Sequence, residues 1–191
     1  SSCQNTIQDG GSFGPDNWGG RNVHFGVREH AMAAIANGMS YHGGIRPFVA
    51  TFFTFSDYMR PSIRLAAMNH LPVVYVWTHD SIGVGEDGPT HQPVEHLMAL
   101  RTMPNIDVFR PGDPNEVNAC WEAAVLNTDR PSAMALTRQG LPVLEGTLEA
   151  AEDVAKGGYV LRDAADGHPD VILLATGSEL ALAVEAHDLL V

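Results

Sequence analysis

The sequence predicts an α/β fold, an open parallel twisted sheet flanked by helices, followed by the beginning of a second α/β unit. Three observations predict it. Between residues 23 and 139, stretches of strand character alternate with stretches of helical periodicity, an order that produces parallel strands joined by right-handed crossovers. Residues 72–77 are apolar throughout, as a strand covered on both faces has to be. After Gln139 the composition turns to Pro, Gly, acids and small residues without a sustained apolar face, which marks a boundary.

Residues 1–22 are rich in Ser, Gly, Asn and Pro, with Gly10-Gly11 and Gly19-Gly20, and read as loop. Ala31, Ile35 and Met39 recur at helical spacing over residues 29–41, and Gly43-Gly44 ends that helix. A strand is expected over 47–52 and a second helix over 55–69. Pro61 falls inside this helix, where a proline costs about 3 kcal/mol, so a kink or break is expected. The strand at 72–77 and a short helix at 93–102 follow, and 106–109, 115–127 and 132–136 read as strand, helix and strand. Residues 140–157 read as a linker. Beyond it, 159–161 and 171–175 have strand character, and 178–191 reads as a helix opening on a Ser178 cap with Glu179 in its first turn. One helix and two strands cannot close a core, so the expected division is a domain at 1–139, a linker at 140–157 and an incomplete second domain at 158–191.

Bulk properties narrow the function classes. With 191 residues and 45% hydrophobic content, the chain can bury one substantial core. No stretch approaches the roughly 20 apolar residues of a membrane span, and the N-terminus lacks the pattern of a secretory signal, so the cytoplasm is expected. Cys3 and Cys120 stand far apart without metal-ligand spacing and read as inert side chains in a reducing compartment. The net charge of -12, from 23 acids against 11 bases with Lys156 as the only lysine, argues against nucleic acid and anionic membrane as partners.

In an open parallel sheet, ligands bind beyond the carboxyl ends of the strands. The residues expected there are Phe52 and Phe55, then Thr78, His79 and Asp80, then Arg110, then Thr137 and Arg138. His79 and His91 flank a loop that holds Glu86 and Asp87. Together these supply aromatic walls, titratable groups and arginines suited to an anionic group, although each alone has a plain structural explanation. Three readings of the loop DSIGVGEDGPTHQP at 80–93 are set aside. Gly83, Gly85 and Gly88 spell GxGxxG, but Glu86 and Asp87 would repel a pyrophosphate and Pro89 disfavours the required helix. His79, Asp80, Glu86, Asp87 and His91 have no established metal-site spacing. Glu86-Asp87-Gly88 with Asn115 only loosely imitates a magnesium and diphosphate motif, since Glu86 replaces its first glycine.

GVREHAM at 26–32, TFFTFSDYMRPSIRLAA at 51–67, THDSIGVGEDGPTHQP at 78–93, RPGD at 110–113 and LTRQ at 136–139 together resemble transketolase, over most of residues 23–139. GGYVL at 157–161 and ILLATGSE at 172–179 resemble the start of that family's C-terminal domain. The resemblance implies the pyrimidine-binding (Pyr) domain of a thiamine-diphosphate enzyme that moves two-carbon ketol units between sugar phosphates in the pentose phosphate pathway and Calvin cycle. It also implies a homodimer with the active site between subunits, and an N-terminal domain, absent from this chain, that binds magnesium and the diphosphate.

By the same resemblance, Glu29 is the carboxyl at the cofactor's pyrimidine ring nitrogen, and Phe52, Phe55 and Tyr58 form the wall against that ring. Asp87 and His91 are the pair at the sugar hydroxyls, with His91 a proton relay, and His79 and Arg138 hold the far phosphate. Ser2 is a further phosphate ligand by position, although Ser1-Ser2-Cys3-Gln4 departs from the family's Ser-Asn pattern. Two alternatives stand beside this. Another thiamine enzyme, such as a deoxyxylulose-phosphate synthase or a ketoacid dehydrogenase beta subunit, would share the fold and the glutamate, and a detached domain would serve assembly without catalysis.

Overall fold

The computed structural model describes residues 6–190. Four strands, β1 (Phe48–Phe52), β2 (Val74–Thr78), β3 (Asp107–Phe109) and β4 (Ser132–Leu136), form one sheet in the order β1-β2-β4-β3. Every neighbouring pair is parallel. Helices α1 (Glu29–His42), α2 (Ser56–Met68), α3 (His96–Arg101) and α4 (Pro114–Leu126) cover it, and α5 (Glu179–Leu190) follows at the C-terminal end.

Strand alternation sends side chains to two cores. Val73, Tyr75, Trp77, Ala133 and Ala135 pack with Met32, Ala33 and Ala36 of α1 and Met59, Ile63 and Ala66 of α2. On the other face, Val74, Val76 and Met134 pack with Cys120 and Ala124 of α4. Tyr75 and Trp77 are fully buried and stacked, 5.5 Å between ring centroids. Burial pushes the Cys120 thiol up to about 12, with the Glu116 carboxylate adding to it, which makes it the inert side chain expected.

Three expectations are corrected. The buried stripe of α1 is Met32, Ala33, Ala36 and Asn37, one step round from Ala31, Ile35 and Met39, and Ile35 is 48% exposed. This helix is apolar on nearly every side, so its periodicity does not choose a face. Helix α2 runs through Pro61 without a break. Pro61 lies on the exposed side, where water can take the freed carbonyl, while Met59, Ile63, Ala66 and Ala67 anchor the opposite side. No strand forms at 159–161 or 171–175 among the described residues, and Val171, Ile172 and Leu174 are exposed. A strand exists only in a ladder, and no neighbouring segment pairs with either stretch.

Residues 140–157 touch the sheet domain at defined points. Thr147 is fully buried, its hydroxyl donating to Asp113 Oδ2 at 2.6 Å, and the 3-10 turn Ala151–Lys156 sets Val154 against the α4 core.

One buried polar bridge joins three elements. Asn37 of α1 donates to the Ser62 carbonyl of α2 at 2.7 Å and accepts from the Tyr75 hydroxyl of β2 at 2.8 Å. Asn37→Ala leaves the buried Tyr75 hydroxyl unpaired and vacates the space of the amide, while the Ser62 carbonyl keeps its place in the α2 ladder, and it should destabilise the fold by roughly 2–4 kcal/mol; Tyr75→Phe leaves only the Asn37 carbonyl oxygen unpaired and should destabilise it by about 1–2 kcal/mol. Urea unfolding of the two variants measures both, and the order of the two midpoints is the check.

Candidate active site

The carboxyl ends of β1, β2 and β4 are level, because Phe52 pairs in register with Thr78 and Thr78 with Leu136. Three connections leave that rim side by side. The first is the 3-10 turn Phe53–Phe55 leading into α2. The second is the loop after Thr78, which makes two 3-10 turns at Gly85–Asp87 and Pro89–His91. Gly88 separates these turns at φ +72, a conformation that favours glycine. The third is Thr137-Arg138-Gln139, whose Gln139 side chain lies against Gly83, where a Cβ would come within 3.1 Å of it.

A cleft of about 530 Å³ opens on this rim, lined by Val27, Glu29, Phe52, Phe55, Tyr58, Asp87 and His91. Its aromatic wall is continuous, with ring centroids 6.0 Å apart for Phe52 and Phe55 and 5.9 Å for Phe55 and Tyr58. The wall grades from buried Phe52 to Tyr58 at 62% exposure, so Phe52 belongs to core and cleft alike. His91 stands edge-on to Phe52 and Phe55, at 5.6 and 5.2 Å, and His79 edge-on to Phe52 at 4.3 Å. A second concavity, of about 400 Å³ around Arg64, Met68, His70 and Pro104, has no carboxylate in its lining.

The Nδ1 atoms of both histidines are engaged by the preceding threonine. Thr78 Oγ1 is 3.0 Å from His79 Nδ1, and Thr90 Oγ1 is 2.8 Å from His91 Nδ1. Burial holds the His79 imidazole below its ordinary range, and the positive charge of Arg138 and the proximity of His91 push the same way against Asp87 and Asp80. The shift disfavours the charged form of the His79 ring. Arg138 carries the charge; it is exposed, with no hydrogen bond or ion pair among the described residues.

The structure thus gathers Glu29, Phe52, Phe55, Tyr58, Asp87 and His91 in one cleft, with His79 against Phe52 and Arg138 within electrostatic reach of His79. Arg110 does not join them, because Asp80 at 2.7 Å and Glu179 occupy its guanidinium. Asn115 is bonded to Thr147 at 3.0 Å, and the GxGxxG stretch opens only the 3-10 turn Gly85–Asp87 and no α-helix. Among the described residues, the group of three ligand-type side chains within 4.8 Å of one another is Asp57, Glu95 and His96, not the loop set His79, Asp80, Glu86, Asp87 and His91. Arg60, bonded to Asp57 at 3.0 Å, sets a positive charge beside it. Ser2 lies outside the described residues.

Residues 4–143 match the family described as "Transketolase, pyrimidine binding domain", and residues 157–191 match "Transketolase-like TK C-terminal domain". The chain belongs to the transketolase family. It is 58% identical over all 191 residues to the transketolase of Geobacillus stearothermophilus, and 55% identical over 186 residues, 97% of the chain, to that of Bacillus subtilis. It spans 29% and 28% of the lengths of these two relatives. A solved transketolase from Pichia stipitis, in complex with sedoheptulose 7-phosphate, superimposes with a TM-score of 0.90 at 44% identity, covering 97% of this chain and 28% of that one.

Two features of this transketolase segment escape a sequence reading. Val27 lines the cleft although it is 82% exposed, and its only signal is its position two residues before Glu29. Thr78 and Thr90 engage the histidines, and the signal was present as the repeated Thr-His pair at 78–79 and 90–91.

The lowered His79 value fixes a sign. Between that value and the ordinary one near 6.5, the unfolded chain binds the proton more strongly, so the contribution to stability is complete above about pH 6.5 and declines as pH falls toward the folded value. In an NMR titration, the His79 ring should have a midpoint below that of an ordinary histidine, and Arg138→Met should raise it. A midpoint that is unmoved in the variant would exclude the Arg138 contribution.

Proposed function

We propose that this chain is the pyrimidine-binding segment of a transketolase, with the domain at residues 1–139, a linker at 140–157 and the start of the C-terminal domain at 158–191. The whole enzyme transfers a two-carbon ketol unit from a ketose phosphate to an aldose phosphate, in the cytoplasm, within the pentose phosphate pathway. What carries the reading is the placement of Glu29 and the Phe52, Phe55 and Tyr58 wall in one cleft with Asp87 and His91.

The cleft fits the pyrimidine end of thiamine diphosphate and not the other end. Ring faces beside a carboxyl suit a flat aminopyrimidine. Among the described residues its ionisable lining groups are Glu29, Tyr58, Asp87 and His91, with no arginine or lysine to meet a diphosphate. The diphosphate and magnesium therefore fall to the N-terminal domain of the partner subunit in a homodimer. Exposed Ile35 and Tyr41 of α1 with Leu65 and Met68 of α2 offer apolar surface for such an assembly.

When bound, the cofactor supplies the nucleophilic carbon that takes up the ketol unit. Glu29 would hold a proton at the pyrimidine ring nitrogen and so activate the ring's amine for proton transfer. Phe52, Phe55 and Tyr58 pack against the ring and keep water from it. Asp87 and His91 bind sugar hydroxyls, and with Thr90 on Nδ1, His91 Nε2 is the nitrogen that takes and returns a proton at the hydroxyl oxygen. Arg138 supplies charge to the far phosphate and His79 a hydrogen bond, with Ser2 as a further ligand. The sugar-phosphate complex of the Pichia stipitis relative supports this class of substrate.

In the full-length enzyme, Glu29→Ala should slow hydrogen-deuterium exchange at the cofactor's C2 by about 10²–10⁴-fold while leaving the fold intact; wild-type exchange in the variant would refute the role of Glu29. The 191-residue chain alone should bind thiamine diphosphate weakly, with or without magnesium, and transfer no ketol unit. Calorimetric titration measures the binding, and tight magnesium-dependent binding would place the diphosphate site on this chain and reopen the Glu86-Asp87-Gly88 and Asn115 reading.

A further inference from the structure

The residue that carries the His79 imidazole is held from both sides. On its amino side, Thr78 is the last rung of the β2 ladder, level with Phe52 and Leu136. On its carboxyl side, the Asp80 side chain is buried at 1% exposure, and its Oδ2 accepts from Arg110 Nε at 2.7 Å. Between these anchors His79 has φ +65, a left-handed conformation that penalises any residue with a Cβ and persists only where its flanks determine it. The other oxygen of Asp80, Oδ1, is buried without a hydrogen-bond partner among the described residues. A buried carboxylate with one oxygen unpaired is a liability for folding, so stability alone does not account for an acid here.

Arg110 is fixed in turn by the C-terminal segment. Its Nη1 donates to the Thr176 carbonyl at 2.7 Å and the Thr176 hydroxyl at 3.3 Å, and also to the Glu179 carboxylate of α5. The Arg110 carbonyl accepts from Gly177 N–H at 2.8 Å. A Cβ on Gly177 would come within 2.7 Å of Arg110 Cζ, so the guanidinium has its place only because residue 177 has no side chain.

We infer that Asp80 and Arg110 form a positioning pair for the phosphate end of the substrate site: anchored on residues 176–179, they hold His79 in its left-handed conformation, edge-on to Phe52. Neither residue touches substrate; they act through His79, and the C-terminal segment reaches the cleft through them. This rests on the reading of His79 as a ligand of the substrate phosphate, so the pair matters for phosphorylated substrates and not for those without a phosphate.

The test compares Asp80→Asn, Gly177→Ala and Glu179→Gln with His79→Gln in the full-length enzyme, using xylulose 5-phosphate as one ketol donor and hydroxypyruvate, which has no phosphate, as the other. Asp80→Asn and Gly177→Ala should raise KM for xylulose 5-phosphate about five- to tenfold, with kcat and the KM for hydroxypyruvate within about twofold of wild type. Glu179→Gln should shift the same KM in the same direction. If His79→Gln raises the KM for xylulose 5-phosphate and the other three do not, the positioning pair is overturned and the phosphate reading stands. If His79→Gln has no selective effect, the phosphate reading fails and the pair fails with it. Equal losses with both donors, or a fall in kcat alone, would mark the pair as merely structural and overturn the inference. Should Asp80→Asn not fold, Gly177→Ala and Glu179→Gln, both outside the sheet, decide between the same outcomes.

Discussion

The level register of β1, β2 and β4 is the constraint on which the rest of this molecule depends. Because Phe52, Thr78 and Leu136 pair across three strands, the segments that follow them leave the sheet at one height and meet. A slip of one residue in any ladder would turn every side chain of that strand to the other face and carry one wall of the cleft away. Phe52 sits where the consequences converge. It is buried in the sheet, closes one end of the aromatic wall, and has both His79 and His91 edge-on to it. The core that stabilises the domain and the platform that orients two histidines are thus partly the same ring.

Charge at the rim is sparse, and its distribution follows from burial. In a chain of net charge -12, Arg138 remains exposed and unpaired among the described residues, while partial burial disfavours the charged form of His79. Arg110, equally placed by sequence, is consumed by Asp80 and Glu179. Two arginines at neighbouring strand ends therefore have different work, decided by which of them has an acid within reach.

The motif RPGD at 110–113 is a structural junction. Arg110 joins the sheet to α5. Gly112 lies where a Cβ would come within 2.8 Å of Leu180 Cβ. Asp113 accepts from Glu116 N–H at 2.9 Å as the cap of α4 and, through its other oxygen, from Leu144 N–H and the Thr147 hydroxyl. The Tyr159 hydroxyl then donates to Glu116. Arg110, Gly112 and Asp113, with Glu116 one turn on, thereby tie the sheet, the segment 140–157 and the residues that follow it together, where the composition of 140–157 had suggested a linker.

Local chemistry was legible in the sequence alone: the alternation of strands and helices, the strand Ser132–Leu136, the polar set at the strand ends, and the motifs that identify the family. Each depends on periodicity, on turn residues or on a run of side chains in fixed order, all properties of neighbours along the chain. What only the tertiary structure decided depends on partners far away in sequence. The face that α1 buries is set by Ile63 and Tyr75, because its own composition is apolar all round. The continuity of α2 through Pro61 is set by packing on its opposite side. Strand character at 159–161 and 171–175 came to nothing because a strand needs another strand beside it. The lowered pKa of His79 and the loss of Arg110 to an ion pair belong to the same class, since a pKa and a salt bridge depend on what stands within a few ångströms in space and not on the adjacent letters.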